Sequence, residues 1–400
     1  MMKVPSRRSY DGPMLFANGF RPFFLLGSIQ AGLAILVWLP AFYGEITLTS
    51  AFAPRDWHVH EMLYGYLPAV ITGFLFTAIP NWTGRLPIRG MPLMVLVVVW
   101  MLGRLGVTFS QGTGWLAAML IDVGFLALVA AAAAREILAG RNWRNLNVVL
   151  LVLLLFAGNV AFHLEAHVSG GADIGIRVGI AVVVMLISLI GGRIVPSFTR
   201  NWLVRENPGR LPVPFGRFDI VVVILGALAL ASWIVNPDSL ITGAALALAG
   251  LLHLVRLARW AGERTWRDRL VLILHIGYLF VPLGFLLNAA SAFALVPSSA
   301  GTHAWMVGAA GIMTLAVMSR ATLGHTGQQL SASAATQVIY AAIIVAALAR
   351  ICAVVEPAHS EALLHVSALA WAMAFFGFAI SFGPLLAGAG RRSAEPKLAA

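Results

Sequence analysis

The sequence predicts an all-α integral membrane protein. Of its 400 residues, 60% are hydrophobic and only 11% are charged, and the mean hydropathy is +0.87. A soluble domain of this size cannot keep so much apolar surface away from water. The apolar residues also occur in runs of roughly 20, the length at which a helix crosses a bilayer core of about 30 Å. We therefore expect one polytopic domain over residues 1–400, with the lipid bilayer as its solvent.

Prolines, glycines and short polar stretches divide the apolar sequence into about twelve transmembrane helices. The predicted spans are 22–42, 57–80, 91–110, 115–138, 146–168, 174–197, 217–236, 240–260, 269–292, 301–321, 333–355 and 360–388. Residues 1–21 precede this bundle (22–388), and residues 389–400 form a tail. The first run has no small-residue cleavage motif, so it is predicted to be a retained span and not a signal peptide.

The arginines predict the orientation of the bundle. If the spans cross alternately, most loop arginines fall on one side, and only Arg55, Arg177 and Arg350 lie near loops of the other side. Basic loops mark the cytoplasmic side, so both termini are predicted to be cytoplasmic in a bacterial inner membrane. The net charge of +11 is thus a topology signal, and no nucleic-acid partner is expected.

Three similar segments suggest internal repetition. They are residues 77–83, 193–199 and 320–326, which close spans two, six and ten at similar spacing. Such a period predicts three pseudo-repeated units of four helices.

Ionisable side chains are costly in a bilayer, so the histidines are the first candidates for function. The predicted topology divides them into two layers. The outer layer contains His58, His60, His163, His167, His303, His359 and His365, and the inner layer contains His253, His275 and His325. The single cysteine, Cys352, excludes an internal disulfide, a cysteine-ligated iron–sulfur cluster and a thiolate zinc site. A metal site would therefore use histidine, carboxylate or methionine.

Span five contains one candidate metal site. Asn159, His163 and His167 recur every four residues and so share one stripe of the helix, where two imidazoles could bind one metal ion. The alternative is that His167 anchors at the membrane interface while His163 hydrogen-bonds a neighbouring helix.

Span two offers a haem ligand. His58 and His60 are about 200° apart on a helix, so only one of them can face a buried group. His58 shares a face with Glu61, which could orient the imidazole or relay protons. Because His303 lies at similar depth on span ten, it could bind a haem together with His58 or His60. The alternative is a hydrated interfacial cluster around Trp57.

The inner layer allows two interpretations. His253 precedes Arg256, and His275 precedes Tyr278, by three residues each, as in a second metal site or a proton path. Hydrogen bonding in the core is the alternative for both.

Three further residues join the candidates. Arg104 and Asp122 fall at comparable outer depth, where an intramembrane ion pair is the economical explanation. The alternative is that Arg104 binds a cofactor carboxylate. Arg320, in the repeated segment of span ten, is predicted to orient ligands or relay protons together with Glu61, Asn159 and Tyr278.

Four segments, 16–24, 57–62, 73–84 and 318–327, together closely resemble the NnrS family. The resemblance implies a bacterial inner-membrane protein that contains haem and copper and is associated with nitric oxide and denitrification. It also implies distant kinship with the haem–copper oxidase catalytic subunit, in which histidines of helices two and ten hold a haem. Spans six and seven lack the further metal histidines of the oxidases, so the copper position stays open and oxygen reduction is not expected.

The leading hypothesis is a haem and copper protein that binds or transforms nitric oxide. Whether it is an enzyme, and what would donate electrons to it, stay open. A twelve-helix secondary transporter is the alternative, because the polar loop at 198–217 would also divide a six-plus-six carrier. A third possibility is a factor that delivers metal or haem to a partner.

Overall fold

A computed structural model describes residues 10–388, which contain no β-strand. Twelve helices in this range are long and apolar enough to cross a membrane. They are α1 (Phe20–Phe42), α2 (Pro54–Thr83), α3 (Met91–Thr108), α4 (Trp115–Ala139), α5 (Trp143–Ser169), α6 (Asp173–Glu206), α7 (Arg217–Val235), α8 (Leu240–Arg264), α9 (Arg269–Ala292), α10 (Ser298–His325), α11 (Ala334–Val355) and α12 (Pro357–Ala387). The prediction of an all-α multi-pass membrane protein is confirmed, whereas residues 1–9 and the tail 389–400 lie outside the described residues.

Each predicted span corresponds to one helix, but several ends differ. The sixth helix ends at Glu206 instead of residue 197, and the tenth covers Ser298–His325 instead of 301–321. Hydropathy shows where the chain leaves the apolar phase, whereas a helix continues for as long as its backbone hydrogen bonds do. Proline also opens α2, because Pro54 occupies a first-turn position where its missing N–H costs nothing.

The helices form a closed ring around three central members. Neighbours in sequence pack against each other, and α12 packs against α1. Helices α2, α6 and α10 also contact one another in pairs. Each of these three contains a π-helical segment, at Glu61–Tyr66, Ile187–Gly191 and Ala304–Gly311. The shared irregularity at every fourth helix agrees with three units of four helices.

The two faces of the bundle differ in what lies between the helix ends. An even number of crossings places the first and last described residues on one face, which we call proximal. On the opposite, distal face, the end of α1 and the starts of α2, α6 and α10 surround a large cavity. The predicted cytoplasmic and outer sides correspond to the proximal and distal faces.

Close packing near the distal face depends on Gly175 in α6. Its carbonyl accepts a hydrogen bond from the Tyr64 phenol at 2.6 Å, and a Cβ atom there would lie 2.6 Å from the Phe162 backbone. A backbone cannot move aside as a flexible side chain can. Gly124 in α4, by contrast, has no neighbouring atom within 4 Å of an added Cβ.

We therefore expect Gly175→Ala to lower the free energy of unfolding by about 1–3 kcal/mol through overpacking. Gly124→Ala should leave it unchanged or raise it by up to about 1 kcal/mol, because alanine favours the helix. Denaturant titration of detergent-solubilised protein, followed by tryptophan fluorescence, measures both. Equal stabilities of the two variants would contradict the close approach of α5 and α6.

Candidate metal centre and cofactor cavity

A network of charged and polar side chains is buried between α2, α3, α4 and α5, close to the distal face. Its members are each at most 7% exposed. We call this set the distal polar network, and it consists of His60, Glu61, Arg104, Asp122, Asn159 and His163.

The π-helical segment of α2 creates the space for this network. A π turn leaves a backbone carbonyl without its usual helical partner. In α2, the Gly65 carbonyl accepts a hydrogen bond from Trp100 Nε1 at 2.9 Å. Gly65 must also lack a side chain, because a Cβ atom would lie 2.3 Å from Nη1 of Arg104. The guanidinium therefore passes directly over this turn.

Arg104 holds two carboxylates at once. Its Nη1 donates to Glu61 Oε1 at 2.8 Å, and its Nη2 donates to Asp122 Oδ1. Gln30 of α1 donates to the other Glu61 oxygen at 2.6 Å. The geometry matches the ion-pair explanation offered for Arg104 and Asp122. Arg104 does not line the distal cavity, so the structure does not place its charge where a cofactor carboxylate would bind there.

Three side chains of the network bring ligand atoms together. His60 Nε2 and His163 Nε2 each lie 3.1 Å from Asp122 Oδ2, and all three atoms lie within 4.8 Å of one another. Two imidazole nitrogens and one carboxylate oxygen suit first-row transition metals. Asn159 donates to Asp122 Oδ2 at 2.7 Å and so fixes the carboxylate. Within residues 10–388, no other group of three such ligands converges.

The charges of the network favour a cation. Glu61 and Asp122 contribute two negative charges, Arg104 contributes one positive charge, and neutral imidazoles add none. Nδ1 of His60 faces a Glu61 oxygen at 3.4 Å, and its Nε2 faces oxygens of Asp122 and Asn159 at 3.1 Å. Because the hydrogen-bonding neighbours of both ring nitrogens are acceptor oxygens, a proton or a metal ion at Nε2 would relieve the repulsion.

His163 and His167 do not point to one ligand position. His163 is buried in the network, whereas the exposed His167 ring stacks on Trp115 with centroids 3.8 Å apart. A four-residue step advances a helix by about 6 Å, which carries His167 beyond the network to the distal end of α5. Both rings nevertheless line one small cavity of about 140 Å³.

His58 and His60 face different sites, as their angular separation predicts. His58 and His303 of α10 both line the distal cavity, whose volume is about 580 Å³. His58 stacks on Trp38 at 4.2 Å, and its Nδ1 is buried without a hydrogen-bond partner. The interpretation that Glu61 orients His58 is not seen, since Glu61 contacts His60. Glu61 is instead held by Arg104 and Gln30, neither of which lines the distal cavity.

His303 keeps one ring nitrogen free. Its Nδ1 lies 2.6 Å from the Ser299 carbonyl, which only accepts, so Nδ1 carries the proton and Nε2 keeps its lone pair. The three arginines that depart from the loop asymmetry, Arg55, Arg177 and Arg350, all line this same cavity. Its remaining wall is largely apolar. The cavity thus combines two imidazoles, an apolar wall and three cationic side chains. It also contains the carboxylates of Asp173 and Asp238, and Arg55 donates to Asp173 at 3.3 Å.

The inner histidines His253 and His275 make hydrogen bonds in the core and belong to no group of three converging ligands within residues 10–388. His253 Nδ1 lies 3.0 Å from the Tyr278 phenol, which also accepts from Arg256 at 2.9 Å. His275 Nε2 lies 2.8 Å from the Thr199 hydroxyl. This arrangement corresponds to the core hydrogen-bonding alternative.

Sequence reasoning missed Asp219. It is buried on α7 and accepts from Arg256 Nε at 2.9 Å. The signal was available, because an arginine within a span needs an acidic partner. Gln30 was also missed, since an isolated glutamine gives no comparable signal. Arg320 packs over the Phe198 ring at 4.2 Å and has no contact with the distal polar network among the described residues.

The four resembling segments now have places in the fold, with 57–62 supplying His58 to the cavity and His60 and Glu61 to the network. A family model described as NnrS protein matches residues 14–389. The chain belongs to the NnrS family. No curated protein matches it. Membership in the NnrS family suggests a role in the response to nitric oxide.

Removing the arginine of this NnrS protein tests the electrostatics of its network. We expect Arg104→Met to lower the free energy of unfolding by about 3–5 kcal/mol, because it leaves two buried carboxylates unpaired. Adding Glu61→Gln and Asp122→Asn should restore most of the loss. Denaturant titration compares the variants. If the triple variant were no more stable than Arg104→Met, the carboxylates would not be the cause.

Proposed function

We propose that this NnrS protein is a haem and copper protein that binds or transforms nitric oxide in a bacterial cytoplasmic membrane. The observation that carries the proposal is the convergence of His60, Asp122 and His163 on one point beside an excess negative charge. A buried site of this charge is stabilised by a cation. The family resemblance supports copper and haem as the groups involved.

Copper fits the ligand set of the network. Cu²⁺ binds nitrogen and oxygen sites more tightly than the other divalent first-row metals. His60, His163 and Asp122 would hold the ion, and Asn159 would orient the carboxylate. Arg104 would limit the net charge of the loaded site by neutralising one of the two carboxylates.

Haem fits the distal cavity. His58 and His303 would offer imidazole nitrogens to its iron, and the Nδ1 hydrogen bond of His303 already leaves its Nε2 free. Arg177 and Arg350 would pair with anionic carboxylates of the group, whereas Arg55 is already paired with Asp173. The volume of about 580 Å³ lies within the usual range for cofactor cavities. When bound, haem would supply an iron that takes nitric oxide in place of one of these imidazoles, and a histidine-bound copper ion would exchange single electrons.

The residues around the cavity would position the gas and keep water away. Trp38 and Trp371 cover its wall with aromatic surface, which favours a small apolar molecule over water. The arginine asymmetry of the sequence supports a cytoplasmic proximal face, so nitric oxide would enter from the lipid or from the outer side.

A role in metal delivery is the second candidate. It is favoured by the small cavity, which places the exposed His167 next to the buried His163 on the distal side. In that case the metal would leave the purified protein for an acceptor.

Two histidines of α5 provide a matched test of the metal centre. We expect His163→Ala to remove most bound copper, because it deletes one of three ligands, whereas His167→Ala retains it. Elemental analysis after copper loading of purified protein, with zinc and iron as competitors, gives the content. Equal copper content in the two variants would refute the ligand set, and preferential iron binding would change the identity of the metal.

The haem proposal is tested by optical spectra before and after nitric oxide is added to the reduced protein. The wild type should show haem absorption that shifts with the gas, and His303→Ala should lose most of the haem. His365→Ala is the control, because exposed His365 makes a similar Nδ1 contact with a carbonyl, that of Glu361, at 2.9 Å. Absence of haem absorption from wild-type protein supplied with haem would overturn the proposal.

A further inference from the structure

A continuous column of aromatic rings crosses the bundle from the distal cavity towards the proximal face. Trp233, at the distal end of α7, forms part of the cavity wall. All seven members are buried, with at most 6% exposure. The rings, which we call the aromatic column, are in order Trp233, Trp305, Phe285, His253, Tyr278, Trp260 and His275.

Every step in the aromatic column is short. Trp233 and Trp305 have centroids 5.3 Å apart, and Phe285 follows Trp305 at 5.1 Å. His253 stacks on Phe285 at 5.3 Å, and its centroid lies 6.1 Å from that of Tyr278. The last steps, from Tyr278 to Trp260 and then to His275, are 4.5 and 6.5 Å. Electron tunnelling weakens steeply with distance, so packed rings at these separations form a favourable route.

The hydrogen bonds of Tyr278 prepare it for oxidation. A tyrosine that loses an electron becomes strongly acidic and must pass its proton to a base. Arg256 Nη1 can only donate, and it contacts the phenolic oxygen at 2.9 Å. The proton of the phenol is therefore left for Nδ1 of His253, 3.0 Å away. One ring of the column thus has a proton acceptor in place.

Two other buried tyrosines lack this feature. Tyr66 lines the distal cavity, but its phenol lies 2.6 Å from the hydroxyl of Thr314. Tyr64 donates to the Gly175 carbonyl at 2.6 Å. A hydroxyl and a carbonyl are much weaker bases than imidazole. Packing alone would account for rings in contact, but it does not account for a basic partner on the one tyrosine within the column.

We propose that the aromatic column carries oxidising equivalents from the distal cavity to Tyr278. The oxidant is of the nitrogen dioxide class, which forms when nitric oxide meets dioxygen in an apolar phase. It takes one electron from Trp233 and becomes nitrite. Electron transfer along the column then reduces the oxidised Trp233 and oxidises Tyr278. The phenolic proton of Tyr278 moves to His253, which leaves a tyrosyl radical and an imidazolium.

Recovery requires one electron from the proximal face. A membrane hydroquinone is a suitable one-electron donor, and Trp260 is the ring through which its electron would reach the radical. The proton held by His253 then returns to the phenolate oxygen, so charge and atoms balance. The proposal rests on the proposed function only for the source of the oxidant, because it requires neither haem nor copper to be bound.

The single cysteine allows a direct test. Cys352 is exposed near the distal end of α11, so a thiol-reactive ruthenium complex attached there places a photo-oxidant at the distal end of the bundle. After a flash in the presence of a quencher, wild-type protein should form a tyrosyl radical detectable by optical and electron paramagnetic resonance spectra. No nitric oxide is needed, so the test is independent of the gas chemistry.

Variants identify the route. Tyr278→Phe should abolish the tyrosyl signal, and Tyr66→Phe should retain it. Trp305→Phe should lose most of the tyrosyl yield, whereas Trp100→Phe should not, although both indoles are buried and donate to a carbonyl, at 3.0 and 2.9 Å. The Trp305 comparison also serves if Tyr278→Phe does not fold. A tyrosyl signal that survives Tyr278→Phe, equal yields in the two tryptophan variants, or no radical in wild type would each overturn the proposal.

Discussion

The structure depends on the charge balance that Arg104 provides inside the membrane. Glu61 and Asp122 lie on different helices, and without a shared cation each would meet the full cost of burial. The guanidinium donates to both and so holds α2, α3 and α4 in one register. It cancels one negative charge and leaves the other. This residual charge gives the three converging ligand atoms their preference for a cation.

The second unit of four helices also contains a buried arginine–aspartate pair, but the two residue types are exchanged between its third and fourth helices. In the first unit the arginine is on α3 and the aspartate on α4, whereas in the second Asp219 is on α7 and Arg256 on α8. The second pair lies nearer the proximal ends of its helices and has one carboxylate for one guanidinium. It is therefore neutral, and its histidine bonds to Tyr278 instead of a carboxylate. One architecture thus supports a cation site near one face and a tyrosine–histidine pair near the other.

Periodicity and hydropathy predicted the helices well because crossing a bilayer leaves few other solutions. The same reasoning predicted that His58 and His60 diverge, since angular position on a helix follows from numbering alone. It could not assign each to its site, because the rotation of α2 about its axis is set by tertiary contacts such as those of Glu61 with Arg104 and Gln30. The pairing of His60 with His163 across helices likewise depends on which faces meet. The four-residue spacing on α5 instead predicted that His163 and His167 bind one metal ion together.

The α-helical turn of α2 just before its π segment contributes a histidine to each of two sites. His60 is the last residue before the π segment, and His58 lies half a turn earlier on the opposite side, so a single turn of α2 serves the distal polar network and the distal cavity. In α10 the π segment likewise follows directly after a histidine, His303, which faces the same cavity. A change at one site that rotates this turn of α2 must move the histidine of the other. Coupling between the two sites therefore requires no additional linking element, because both imidazoles are attached to the same turn of backbone.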